Sequence, residues 1–317
     1  MEAICYFYHP SIFNFKHLLA IIKMKFLIAI GSKDYSGPTL ELGMRIAKSF
    51  NAAVDIVYVG ERVSAFSTAE VILAQENLEN WELDRKGVDV LHWAYEYLFE
   101  NEYINLDSEN SDFNMDKLIQ TDDDRCELHL KGRMTQEVGL ILRNGDIIQQ
   151  LRDEVKRSSI DCTIIGGSGE RQMAHDLVQF IDSSIFVVKN YNSTQDYKIL
   201  CAIDDSPDTN RARKYAVRVS QALDIGVELL TVSQIDDFSS GYKEAANQAA
   251  KFMRRSGINS KNLFEIGDPP EIIVNTAGVN RLIIMGASRR SPIKKFFKGS
   301  KPLEVMENCN CPILIVK

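Results

Sequence analysis

The sequence predicts an α/β protein built twice over, two successive units that each hold a five-stranded, parallel-type sheet between helices. Three observations lead there. The chain repeats itself: "KFLIAIGSKDYSG" from Lys25 aligns with "KILCAIDDSPDTN" from Lys198, and "NAAVDIVYV" from Asn51 with "DIGVELLTV" from Asp224, both at an offset of 173. Short continuous apolar runs such as Phe26–Ile30 and Ile199–Ile203 fit parallel strands buried on both faces. Residues 38–50 and 209–222 space their apolar positions as amphipathic helices, and alternating strands and helices imply right-handed crossovers.

The elements then follow in order. Each unit reads strand, helix, strand, helix, strand, helix, strand, short strand. Asn144-Gly145-Asp146 corresponds to Ile266-Gly267-Asp268, and "SSIFVVK" from Ser183 to "CPILIVK" from Cys311. Val54 to Gly145 spans 91 positions where Val227 to Gly267 spans 40, so the first unit carries an insertion of about fifty residues, placed around 61–136. It is expected to contain a helix near residues 68–81, a long helix near 88–100, and an exposed acidic loop, Asn101–Asp124, holding "LDSENSD" and most of "TDDDR". Residues 1–23 are read as an extension, residues 24–193 as one domain and residues 194–317 as a second. Lys16 and Lys23 interrupt the apolar stretch near the start, which argues against a membrane span there.

The 317 residues suit two domains, and 45% hydrophobic with 26% charged residues is an ordinary globular balance. The pI near 5.4 argues against a general nucleic-acid binder. Charge is uneven: residues 194–317 hold 18 Lys and Arg against 14 Asp and Glu, and residues 1–193 hold 19 against 30. The cysteines, at 5, 126, 162, 201, 309 and 311, lack disulfide-scaffold spacing, which suggests a reducing, cytoplasmic setting. Cys309-Asn310-Cys311 resembles half of a metal site, but no histidine follows His175 and no second cysteine pair occurs, so no metal site is expected.

One stretch stands out chemically. "GASRRSPIKKFFKGS", Gly286 to Ser300, carries Arg289, Arg290, Lys294, Lys295 and Lys298 and no acid, directly after an apolar run. A basic, glycine-bounded loop at the carboxyl end of a strand fits an anion, because ligands of open α/β sheets bind at that edge. Gly286 permits close backbone approach, and Gly299-Ser300 opens the helix expected over 302–308, whose N-terminal dipole favours negative charge. Asp204, ending the first strand of its unit, lies at the same edge, where a carboxylate accepts hydrogen bonds from ribose hydroxyls. The plainer readings are a solvated basic face and a turn residue in "DDSPD".

These residues together resemble a tandem universal stress protein over residues 24–317. The resemblance rests on the strand ending in Asp204, the Gly286–Ser300 loop and the closing "CPILIVK". It implies flavodoxin-like or Rossmann-like domains with strand order 3-2-1-4-5, and pseudo-two-fold pairing of the last strands, Ser184–Lys189 and Pro312–Lys317. Nucleotide-binding members carry G-x2-G-x9-G-[S/T] after the fourth strand. Gly286, Gly299 and Ser300 fit it, and Arg289 replaces the middle glycine. By resemblance Ala202, Asp204, Val232, Met285, Gly286, Gly299, Ser300 and Lys301 match positions that contact ATP, with Val232 and Met285 flanking the adenine. Arg289 either blocks phosphate approach or binds phosphate itself. Asp205 stands where the family often has glycine. The first unit has Gly31 in place of Asp204 and no Gly-Ser pair after Gly166 and Gly169, so it is expected to be a degenerate partner.

The function implied is an ATP-binding, cytoplasmic regulatory or stress-response protein, with Mg2+ accompanying the ATP. The alternative is a nucleotide-free scaffold that binds a protein partner through the insertion; self-association into a homodimer is left open. A P-loop is absent, "GGSGE" misses a nucleophile elbow at Glu170, and His92, in a helix, and His175, in a loop, have no nucleophile partner. No catalytic set is therefore expected, and ATP hydrolysis would be slow. A receiver-like acidic pair and a nucleotidyl-transfer enzyme are disfavoured, the latter because the second unit has no histidine. Trp81 and Trp93 are expected to anchor packing.

Overall fold

The computed structural model describes residues 24–60, 85–105, 118–122, 125–167, 171–235, 238–287 and 300–317. The first unit runs β1 (Lys25–Ile30), α1 (Lys33–Phe50), β2 (Ala53–Gly60), α2 (Arg85–Glu100), β3 (Ile119–Asp122), β4 (Arg125–Lys131), β5 (Glu137–Asn144), α3 (Ile147–Ser158), β6 (Cys162–Gly166), α4 (Arg171–Phe180) and β7 (Ser184–Val188). The second runs β8 (Lys198–Ala202), α5 (Pro207–Leu223), β9 (Val227–Ser233), α6 (Ser240–Arg255), β10 (Ser260–Ile266), α7 (Pro269–Ala277), β11 (Arg281–Gly286), α8 (Lys301–Asn308) and β12 (Ile313–Val316).

All twelve strands join one sheet, in the order β10-β9-β8-β11-β12-β7-β6-β1-β2-β5-β4-β3. Within each unit the five repeated strands are parallel and follow 3-2-1-4-5. The units meet where β12 pairs antiparallel with β7, Leu314 opposite Phe186. Phe26, Leu27 and Ile28 of β1 are all fully buried because helices cover both faces, which explains the continuous apolar runs. One core lies under α1, α2, α5 and α6. The other lies under α3, α4, α7 and α8.

The repeat reaches down to single backbone groups. Gly145 and Gly267 hold φ of 138° and 147°, which a side chain would strain, and their N–H groups donate to Gly60 and Ser233 carbonyls at 2.9 Å. Asp146 and Asp268 follow as N-caps, accepting from the Gln149 and Glu271 amides. At the junction, Lys189 reaches from the first unit to the Met306 and Cys309 carbonyls that end α8. Lys317 reaches back to the Val178 and Ile181 carbonyls that end α4. Each unit thus supplies the cation at the negative end of the other unit's last helix.

The insertion departs from the expected exposed loop. Tyr103 and Ile104 are buried, and Ile104 bridges to Gly132. Thr121 and Asp122 belong to β3, and Arg125 is a buried residue of β4. β3 and β4 extend the sheet antiparallel beyond β5. All four β3 residues are exposed, so its composition looks like a loop although its backbone is paired. Arg125 tolerates burial because Glu154, itself fully buried, accepts its Nε–H at 2.8 Å and the Arg143 Nη1–H at 2.9 Å. His175 lies in helix α4, not in a loop. Trp93, on α2, packs part-buried against the core. The expected helix near residues 68–81, with Trp81, the "LDSENSD" stretch and residues 1–23 lie outside the described residues.

Candidate functional site

The carboxyl edge of β9, β8 and β11 assembles the apolar candidates. The register that pairs Cys201 with Ile284 sets Ala202 beside Met285, and Ala202 itself pairs with Leu230, two residues before Val232. Ala202, Val232 and Met285 lie on the face covered by α7 and α8, where Met285 is buried and the other two are part-exposed. Three adjacent strands therefore present a small apolar shelf at the edge where ligands of such sheets bind.

Asp204 is exposed just past β8. Its Oδ1 accepts from the Ser206 N–H at 3.0 Å, the Ser206 hydroxyl at 2.6 Å and the Thr209 hydroxyl at 2.6 Å. The Thr209 hydroxyl in turn accepts from the Asp204 N–H at 3.2 Å. Asp204 is thus the turn residue that organises the start of α5, and its Oδ2 has no hydrogen bond among the described residues. The turn and ligand roles are compatible, because they use different oxygens.

Ser300 is the N-cap of α8, on the same face as the shelf, and its hydroxyl makes no capping bond. The exposed Lys301 occupies the first helical position, followed by Pro302, which has no N–H to satisfy. A hydroxyl, a cation and a helix N-terminus without a capping side chain share this corner. Gly286 has a structural duty as well. A Cβ there would stand 2.7 Å from Asp208 Cβ and 2.9 Å from the Asp208 carbonyl carbon, so the glycine lets α5 begin tightly against β11. Arg289 and Gly299 lie outside the described residues.

A second depression of about 240 Å3 lies on the opposite side of Asp204, between the starts of α5 and α6. It is polar: Asp204, Asp205 and Glu244 supply carboxylates and Arg213 a cation, which rests over the Phe252 ring at 5.1 Å. Of the residues singled out from sequence, it contains Asp204 and Asp205.

The carboxyl edge of the first unit differs from that of the second in its polar side chains. Gly31 offers no carboxylate, and its N–H donates to Ser36 Oγ at 2.9 Å, as Asp204 does to Thr209. Arg143 stands beside Val59, where the second unit has Glu265 beside Val232. Its Nε–H donates to Gln150 at 2.6 Å, and the Glu154 carboxylate joins it to Arg125. Sequence reasoning missed this network, since its partners are spread over three elements with no motif spacing.

Cys309 and Cys311 are buried beneath α8. Hydrogen bonding from Cys311 and the nearby Lys189 cation draw the Cys309 thiol below its usual range, against the opposing effect of burial. Among the described residues, no group of three or more His, Cys, Asp or Glu is placed to hold a metal ion.

The universal stress protein family model matches residues 197–317. A universal stress protein of Methanocaldococcus jannaschii is 25% identical over 138 residues, covering 38% of this chain and 81% of that protein. Two solved structures resemble the whole chain in fold. A universal stress protein from Archaeoglobus fulgidus has a TM-score of 0.55 at 12% identity, covering 92% of this chain and 96% of its own. A putative universal stress protein from Pseudomonas aeruginosa has a TM-score of 0.57 at 14% identity, covering 94% of each. The residues matched by the family model include the apolar shelf, Asp204, Ser300 and Lys301. No helix of the described residues is long and apolar enough to cross a membrane.

Proposed function

We propose that residues 194–317 form the domain that binds an adenine nucleotide, ATP with Mg2+, and that residues 24–193 form its degenerate, nucleotide-free partner in a cytoplasmic stress-response regulator. The observation that carries the reading is the shared edge: Ala202, Val232 and Met285 side by side, with Asp204 Oδ2 and the Ser300 hydroxyl both unengaged among the described residues. The fit is chemical. An adenine ring needs an apolar shelf, ribose hydroxyls need an acceptor, and phosphates need a helix N-terminus with nearby cations. Val232 and Met285 would flank the base, Asp204 would take the ribose, and Ser300, Lys301, Gly299 and Arg289 would take the phosphates beside Gly286. Mg2+ would be held chiefly by phosphate oxygens and water, as this ion usually is. Bound nucleotide adds phosphate charge to the edge of a basic loop, which is a means of signalling occupancy to another protein.

The test is calorimetric titration of Mg·ATP into the full chain, with Ser300→Ala and Gly299→Val beside the wild type. One saturable site, weakened in both variants, supports the reading. Absence of binding to a folded, nucleotide-free sample removes it and leaves the scaffold reading. That second reading is favoured by the β3–β4 extension within the 61–136 insertion, where Ile119 is 66% exposed on a paired strand.

A further inference from the structure

We propose that β10, the outer strand of the nucleotide-side half, is a homodimerisation edge that pairs antiparallel with β10 of a second copy. Among the described residues β10 has one strand neighbour, β9, and no strand pairs with its other side. Such an edge is a template for strand addition. Asn259 O accepts from the Val227 N–H at one end of the β9 ladder, and the Gly267 N–H donates to Ser233 O at the other. Alternation along a parallel ladder then turns the peptide groups of Lys261, Leu263 and Glu265 toward β9. Those of Ser260, Asn262, Phe264 and Ile266 point outward and are the ones a second strand would meet.

The side chains select the partner. Lys261 and Glu265 are exposed on one face, and neither makes an ion pair among the described residues. Four residues apart on a strand, roughly 13 Å, they cannot reach each other. In an antiparallel pair of two copies, the register of greatest overlap sets Leu263 on Leu263 of the partner subunit. That register places Lys261 opposite Glu265 of the partner subunit, and the dyad repeats the contact. It also sets the outward groups of Asn262 opposite those of Phe264 of the partner subunit, so the ladder hydrogen bonds close. The two ion pairs fall at the non-hydrogen-bonded positions, where side chains stand closest. Sliding by one ladder step keeps the hydrogen bonds but separates the charges. The edge is therefore self-complementary, as a two-fold interface must be. Phe264 at 42% and Ile266 at 46% exposure add apolar contact on the other face.

The experiment is sedimentation equilibrium of the full chain as wild type, Lys261→Glu, Glu265→Lys and the double exchange. Both side chains are exposed, so folding is retained, and circular dichroism checks this. A wild-type dimer is expected, weakened about 30-fold by either single reversal, because two attractive pairs become repulsive. The double exchange restores it. A wild type that stays monomeric at its highest soluble concentration overturns the proposal. So does a dimer indifferent to the single reversals, or one that the double exchange does not rescue.

Discussion

Asp204 serves two purposes through two oxygens, and that separation can be tested. Asp204→Ala removes the Oδ1 that accepts from the Ser206 amide, the Ser206 hydroxyl and the Thr209 hydroxyl. Loss of these turn hydrogen bonds costs about 1–2 kcal/mol, and the buried Thr209 hydroxyl is left without its acceptor. Asp204→Asn keeps an oxygen for those three donors, and stability is expected within ~0.5 kcal/mol of wild type. It replaces Oδ2 with an amide that cannot accept. A hydrogen bond from a ribose hydroxyl to a charged acceptor is worth about 1.5–3 kcal/mol, so Mg·ATP affinity is expected to fall roughly 10- to 100-fold. The assay pairs calorimetric titration with urea unfolding for all three proteins. Asn at wild-type stability with weakened binding fits the division of labour. Asn at wild-type affinity would falsify the ribose contact and leave Asp204 as a turn residue alone.

Gly286→Ala is expected to destabilise by about 1–3 kcal/mol, since its Cβ would lie 2.9 Å from the Asp208 carbonyl carbon, and an unchanged urea midpoint would contradict the tight α5 start. Glu154→Gln removes the carboxylate shared by the buried Arg125 and Arg143 while Glu127 still pairs with Arg125 at 2.7 Å, at an expected cost of about 1–3 kcal/mol, read from chemical denaturation. Lys189→Met and Lys317→Met should each cost about 0.5–2 kcal/mol by thermal unfolding, and unequal losses would argue against equivalent capping across the junction. Burial raises the Asp55 carboxyl above its usual 3.8 despite the Lys25 ammonium at 2.8 Å. The folded state therefore holds that proton more tightly than the unfolded chain, and this group's contribution falls as pH rises from 3.8 through the raised value. Asp55→Asn should remove that falling component from the pH profile of unfolding free energy.

Strands with helices on both faces were legible because burial on both sides leaves unbroken apolar runs, as Phe26–Ile30 shows. The Gly-Asp turns were legible because a positive φ and an N-cap each demand a residue type, and both demands recur in the second unit. β3 and β4 were not, because β3 exposes every side chain and β4 begins with an arginine whose burial depends on Glu154, 29 residues away. The helical setting of His175 was missed where α4 follows the glycine-rich stretch "GGSGE". At the candidate site, the residues on one strand edge were listed through the family resemblance, and the glycine spacing alone pointed only to Gly286, Gly299 and Ser300. The contact of Gly286 with Asp208, 78 positions earlier in the chain, was not legible, so the glycine carried an unrecognised packing duty.

The two units keep the same backbone devices and differ in what fills the carboxyl edge. Conserving the frame in both is explained by the shared sheet, since β7 and β12 must present matching registers and each unit's lysine must find the other's helix end. The edge is under no such constraint. In the first unit the Arg143 position faces inward to Gln150 and Glu154, and that network fastens the β4–β5 extension to α3. In the second, Glu265 occupies the same position on the outermost strand, exposed and unpaired among the described residues. One position thus ties the strands of the insertion to a helix on one side and leaves a charged outer strand on the other. The added β3 and β4 extend the sheet at the first unit's end, which leaves β10, among the described residues, as the strand of the repeated core with no strand on one side.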